Sequence, residues 1–252
     1  MIEIPQPLRG RNILVTGAGN GVGRAAALLA ASRGASVLCI DRDEAPLLET
    51  VREIEASGGS AFWSVADITH EDALALSIGE LVKRAGGTLH SVVHVAGIMR
   101  GQRLALEDVS LETWNEVLST NLTGAFLVAK HSMKFLRDAS SACLILVASR
   151  SGILVPSGSL AYGASKGGIH GFAMSLEKQV QASGIRVHTV CPGDVDTPLM
   201  RKSLEEALAN GADPADVDRI RRSLGTAEDI ASALIHLVDP AARGISGTVL
   251  AG

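Results

Sequence analysis

Tyr162 and Lys166 stand four residues apart in Tyr162-Gly163-Ala164-Ser165-Lys166, a run that predicts the opening turn of a helix. Side chains at that spacing are neighbours on one helical face, so a phenol and an ammonium can share one small volume. A free phenol has a pKa of about 10 and is a poor acid or base at neutral pH. A fixed cation beside it favours the phenolate and draws the pKa toward the working range. The pair therefore predicts a proton-transfer device, and Tyr162 is the single tyrosine of the chain.

A second group lies near the start. Thr16-Gly17-Ala18-Gly19-Asn20-Gly21-Val22-Gly23 follows a short apolar run and precedes an Ala/Leu-rich stretch. Glycines at such a turn let backbone N–H groups approach a pyrophosphate, whose charge also suits a helix N-terminus. Val22 occupies the place of the last glycine in the common G-x-G-x-x-G spacing. Asp41 ends the next apolar run, about 20 residues beyond the turn, where a carboxylate can accept hydrogen bonds from an adenosine ribose. A carboxylate there repels a 2′-phosphate, so the expected cofactor is NAD. Arg42 is the one neighbour able to pair with that phosphate, and Asn20 adds no second positive charge.

These residues need a scaffold of alternating elements. Short β-branched runs at 12–16, 36–40, 61–65, 91–95, 143–147, 185–190 and 248–250 read as strands. Helical patterns fill most intervals: to about Arg33, then 44–56, 71–84, 111–119, 123–137, 162–181 and 227–237. Strands buried on both faces and joined by helices predict a parallel sheet. The expectation is an α/β fold: a single doubly wound, Rossmann-type domain over 1–252, with a seven-stranded sheet and helices on both faces. The stretch 198–224 mixes Leu204 and Leu208 with charges and predicts an amphipathic lid over the substrate.

The totals agree with a packed enzyme-sized domain. Of 252 residues, 46% are hydrophobic, enough for a sizeable core. A net charge of -4 without long single-sign runs gives no nucleic-acid footprint. Cys39, Cys143 and Cys191 lie far apart in apolar runs and read as reduced, buried thiols; no metal site is expected. No apolar stretch is long enough to span a bilayer, and Met1 to Arg11 lacks the apolar core of a signal peptide. The expected location is the cytoplasm.

With these pieces in order, the chain resembles the short-chain dehydrogenase/reductase family over essentially its whole length. Thr16 to Gly23 matches that family's T-G-x-x-x-G-x-G, and Asp67-Ile68 stands where its adenine-contacting Asp does. His94-Val95-Ala96-Gly97 replaces the usual Asn-Asn-Ala-Gly, Asn121 opens Asn-Leu-Thr-Gly, and Ser149 precedes Tyr162 at the family spacing. Pro192-Gly193 with Val195 and Thr197 matches the stretch beside the nicotinamide.

The resemblance implies roles. Tyr162 would exchange a proton with the substrate oxygen, and Lys166 would hold the nicotinamide ribose and lower the Tyr162 pKa. Ser149 would hydrogen-bond the reacting oxygen, and Asn121 would bind a water through its main chain to complete a proton relay. Gly17, Gly19, Asn20, Gly21, Val22, Gly23, Asp41, Arg42, Asp67, Ile68, Ala96, Gly97, Pro192, Gly193, Val195 and Thr197 would contact the cofactor, together with Tyr162 and Lys166. The implied reaction is hydride transfer between NAD and a secondary alcohol or ketone. An NADPH-dependent reductase of 3-oxoacyl thioesters is the alternative within enzymes, and a dinucleotide-binding regulator without activity is the alternative outside them. A homotetramer, or a homodimer, is the implied assembly, with helices 123–137 and 162–181 meeting symmetry mates through small residues such as Ala173.

Ligands of this fold lie beyond the carboxyl ends of the strands. The loops there offer Met99, Arg100, Arg150, Ile153, Leu154, Val155, Leu160, Leu199 and Met200. They predict a largely apolar substrate pocket, with Arg100 and Arg150 read as solvated rather than bound to a carboxylate.

Overall fold

The computed structural model describes residues 6–252. The reading of Met1 to Arg11 thus lies partly outside the described residues. Seven parallel strands form one sheet in the order β3-β2-β1-β4-β5-β6-β7. They are β1 (Asn12–Thr16), β2 (Ser36–Asp41), β3 (Ser60–Val65), β4 (Ser91–His94), β5 (Cys143–Val147), β6 (Arg186–Pro192) and β7 (Gly247–Ala251). The helices between them are α1 (Gly21–Ser32), α2 (Glu44–Ala56), α3 (Glu71–Arg84), α4 (Leu111–Leu118), α5 (Gly124–Arg137), α6 (Leu160–Val180), α7 (Pro198–Ala209), α8 (Pro214–Arg222) and α9 (Ala227–Val238).

Strand alternation divides the core. Ile13, Val15, Val37, Cys39 and Ile145 face α1, α2 and α9, where Ala26, Ala27 and Ala30 let α1 lie close to the sheet. Leu14, Leu38, Ile40, Val92 and Leu144 face α3, α5 and α6 on the other side. All three cysteines are buried and unpaired. Ala173 also turns into the core, so the expectation that it meets a second copy is corrected; Phe126, Leu160 and Met174 are the large exposed apolar residues of α5 and α6.

Two expected elements take a different form. Stretches 111–119 and 123–137 do not end between Ser119 and Thr123. A five-residue π-helical turn there joins α4 to α5, with Asn121 at its middle. The loosely patterned 198–224 resolves into two short helices. Thr197 caps α7 by accepting from the Met200 amide, and Asp213 caps α8 by accepting from Ala215.

The strand order reverses between β1 and β4, opening a crevice beyond their carboxyl ends. Gly17 and Ala96 leave the two strands side by side. A Cβ on Gly17 would lie 3.0 Å from the Ala96 backbone.

Candidate active site

The glycine turn is shaped by backbone contacts. Gly17 has φ +71 and Gly21 φ +50, left-handed values that favour glycine. Gly23 sits where a Cβ would fall 2.0 Å from the Gly17 carbonyl oxygen, so any side chain there displaces the turn. No side chain caps α1 at Asn20, which leaves its first-turn N–H groups for a ligand. The methyl side of Thr197 lies against Gly21, so the N-terminal ends of α1 and α7 flank one cleft.

Asp41 closes this end. One carboxylate oxygen accepts from the Gly19 amide at 2.8 Å and the other from the Asp43 amide at 3.1 Å. Asp67 is similarly held: its Oδ1 accepts from the Thr69 amide and hydroxyl at 2.8 and 2.7 Å. Burial pushes the Asp67 carboxyl up, but the Thr69 donors outweigh it and hold the group below its ordinary value.

The second half of the site hangs on α6. Ser159 caps this helix, its hydroxyl accepting from the Tyr162 amide at 3.2 Å, and so fixes the first turn that carries Tyr162. Lys166 lies one turn on, fully within the protein. Its Nζ donates to the Val147 carbonyl at 2.8 Å and sits 5.5 Å from the centre of the Tyr162 ring. Burial lowers the Lys166 ammonium to about 8. Burial also pushes the Tyr162 phenol up to about 12; the Ser149 hydroxyl favours the phenolate, and the nearby Asp194 carboxylate opposes it. The expectation that Lys166 brings the phenol toward neutrality is therefore corrected for the chain's own groups. Desolvation in a buried pocket outweighs the Ser149 hydrogen bond, the one contribution that favours the phenolate.

A cleft of about 880 Å³ runs between the two halves. Its wall includes Gly17, Asn20, Gly21, Val22, Asp41, Arg42, Asp67, Ile68, Ala96 and Gly97 on the glycine side. Ser149, Tyr162, Lys166, Pro192, Gly193, Val195 and Thr197 complete it. Three expected residues are not on this wall. Gly19 is turned beneath it, held by Asp41, and Gly23 packs on Gly17. Asn121 is fully buried: Oδ1 accepts from the Ile98 amide at 2.8 Å, while Nδ2 donates to the Ile98 carbonyl and the Ser165 hydroxyl at 2.9 Å each. Its side chain thus ties the loop after β4 to α6, so any contribution to chemistry passes through its main chain.

The substrate side also departs from expectation. Met99, Arg100, Arg150, Val155, Leu199 and Met200 line the cleft. Ile153 instead packs against the core, and Leu154 and Leu160 are exposed. Arg150 donates from Nη2 to the Gly252 oxygen, while its buried Nε has no partner among the described residues. Gln102, Lys202, Ser203, Val217 and Ile220 line the cleft without a sequence signal. Gln102 reaches it on the loop after β4 and the other four through the packing of α7 and α8, which no local pattern records.

His94 replaces the usual Asn at a buried point under the glycine turn. Its Nδ1 lies 2.8 Å from the Thr16 hydroxyl. The Ala96 amide donates to that same hydroxyl at 3.4 Å, so one Thr16 oxygen links the His94 ring to the backbone after β4. Nε2 is buried and has no partner among the described residues. Burial, then Lys166, lowers the imidazole to about 3, so His94 is neutral and adds no charge to the site.

Comparison with known proteins agrees with this geometry. The family model for short chain dehydrogenases matches residues 11–208. The chain is 33% identical over 244 residues to cis-4-hydroxycyclohexanecarboxylate dehydrogenase of Sinomonas cyclohexanicum, covering 96% of this chain and 94% of that one. It is 29% identical to a 3-oxoacyl-(acyl-carrier-protein) reductase of Thermotoga maritima, covering 96% of each. A short chain dehydrogenase from Mycobacterium paratuberculosis, solved bound to NAD, superposes with a TM-score of 0.86 at 25% identity, covering 97% of each chain.

Proposed function

The chain belongs to the short chain dehydrogenase family, and on that footing we propose that it interconverts a secondary alcohol and its ketone with NAD as preferred carrier. The observation that carries this reading is one cleft lined both by an uncapped glycine turn beside Asp41 and by Ser149, Tyr162 and Lys166. The cradle fits a dinucleotide: side chains are missing where a pyrophosphate would approach, and first-turn N–H groups are free. The relative of known structure bound to NAD supports the same reading.

The nicotinamide supplies or accepts the hydride. Tyr162 gives its proton to the ketone oxygen in reduction and takes it back in oxidation. Ser149 donates a hydrogen bond to that oxygen, which fixes its position in line with the phenol. Lys166, buried and held by Val147, binds the ribose hydroxyls and keeps a positive charge beside Tyr162 as the phenolate forms. The main chain of Asn121, within a π-helical turn, serves the proton relay. Helices α7 and α8 form the lid of the substrate side, and Phe126 and Met174 mark the faces where a homotetramer would assemble.

Asp41 supports NAD as the carrier, because a carboxylate at the end of β2 would repel a 2′-phosphate. The second reading, an NADPH-dependent reductase of 3-oxoacyl thioesters, has Arg42 and the Thermotoga maritima relative in its favour. Titration of the protein with NADH and NADPH, followed by turnover of a panel of secondary alcohols and ketones, tests both. Tighter NADH binding with NAD-linked alcohol oxidation is expected. A clear preference for NADPH would transfer the assignment to the second reading, and binding of neither would reject both.

A further inference from the structure

The loop after β4 is fixed more tightly than its sequence suggests. Its residues 100–103 are tied to four neighbours. The Arg100 carbonyl accepts from the Ser159 hydroxyl at 2.5 Å, and the Gly101 amide donates to Glu206 at 2.8 Å. The Gln102 carbonyl accepts from Asn210 at 2.7 Å, and the Arg103 amide donates to the Gly158 carbonyl at 2.7 Å. Within this frame Arg103 holds φ +61, a left-handed value that a non-glycine residue keeps only when its surroundings impose it.

The outcome is a rigid rim carrying two arginines. Arg100 and Arg103 line the cleft on this loop, and Lys202 of α7 lines it from the lid. Among the described residues none of the three is in an ion pair. The fourth cation of this region, Arg150, is held by Gly252. Of the acids nearby, Asp216 is paired with Arg219 at 2.9 Å, and Glu206 accepts from the Gly101 amide while keeping its charge. Asp194 lies on the Tyr162 side. Behind the rim the wall is apolar, with Met99, Leu199, Val217 and Ile220.

Resting on the function proposed above, we infer that the substrate is a hydroxy acid or oxo acid of small to medium size. Its hydrocarbon body lies against Met99, Leu199, Val217 and Ile220, and its carboxylate is held by Arg100 and Arg103, with Lys202 closing from the lid. A guanidinium matches a carboxylate with two parallel N–H bonds. The Arg100 guanidinium is already placed, its Nη1 donating to the Met99 carbonyl at 3.0 Å, and a placed cation loses less freedom on binding. The amide of buried Gln102 adds a polar contact at the same rim.

The test compares C4–C8 aliphatic and alicyclic hydroxy acids with their methyl esters as substrates, in the wild type and in Arg100→Gln and Arg103→Gln. Roughly ten- to a hundredfold higher kcat/KM for the acids is expected, with that ratio falling about tenfold in each variant, chiefly through KM. Equal or better turnover of the esters overturns the inference, as does an acid-to-ester ratio unchanged in both variants. Preference for a coenzyme A thioester over the free acids, or no turnover of either set by protein that binds NADH, overturns it too. Protein that binds neither NADH nor NADPH instead rejects the oxidoreductase reading itself.

Discussion

The Thr16 hydroxyl and His94 Nδ1 lie 2.8 Å apart and join the ends of β1 and β4 directly beneath the glycine turn. The pairing places a neutral imidazole there, with its Nε2 buried and without a partner among the described residues. It makes the support of the cofactor cradle sensitive to acid.

His94 titrates at about 3 when folded against an ordinary 6.5. Above 6.5 both folded and unfolded chains are neutral there, and its contribution to stability is complete. As pH falls from 6.5 toward 3 the unfolded chain takes up a proton that the folded chain refuses, so stability drops by about 1.4 kcal/mol per pH unit. Urea midpoints should fall steeply below about pH 6.5, and His94→Asn should flatten that slope. An equal slope in the variant would assign the acid sensitivity elsewhere.

Tyr162→Phe should lower turnover by about 10²–10⁴-fold while leaving NADH affinity within a few fold. The phenol, raised to about 12 by burial, stays protonated through neutral pH, which suits ketone reduction. Alcohol oxidation needs the phenolate, so its rate should climb with pH through the alkaline range while reduction does not. Steady-state profiles in both directions, with cofactor fluorescence for binding, check this; retained turnover in the phenylalanine variant would remove Tyr162 from the chemistry.

Asp41→Ser should weaken NADH binding by roughly tenfold and narrow or invert the preference over NADPH. The same substitution shortens the acceptor of the Gly19 and Asp43 amides, so some loss of stability should accompany it. Isothermal titration with both dinucleotides separates the two effects, because loss of stability alone weakens both ligands equally.

Glu206→Ala should release α7 from the loop after β4. The lost acceptor for Gly101 is worth about 1 kcal/mol, and the expected sign is faster proteolytic cleavage within 198–224. Cleavage at the wild-type rate would show that Asn210 and Ser203 hold the lid without it.

The sequence by itself determined the features that depend on near neighbours. Alternating apolar runs and helices dictated the parallel sheet, and the glycine turn with Asp41 marked one half of the cleft. The four-residue step from Tyr162 to Lys166 put both on one face, because helix geometry acts over a single turn. Distances through space were a different matter. The tertiary structure alone decided that Asn121 clamps Ile98, that Arg150 is taken by Gly252, and that Ala173 faces inward. It also decided that Glu206 and Asn210 reach the loop carrying Arg100 and Arg103. Burial decided the protonation of Tyr162 and His94, since desolvation depends on everything packed around a group and not on the residues beside it in the chain. The substrate end was the least legible for the same reason: its wall is assembled from three loops and two helices whose contacts have no period and no motif.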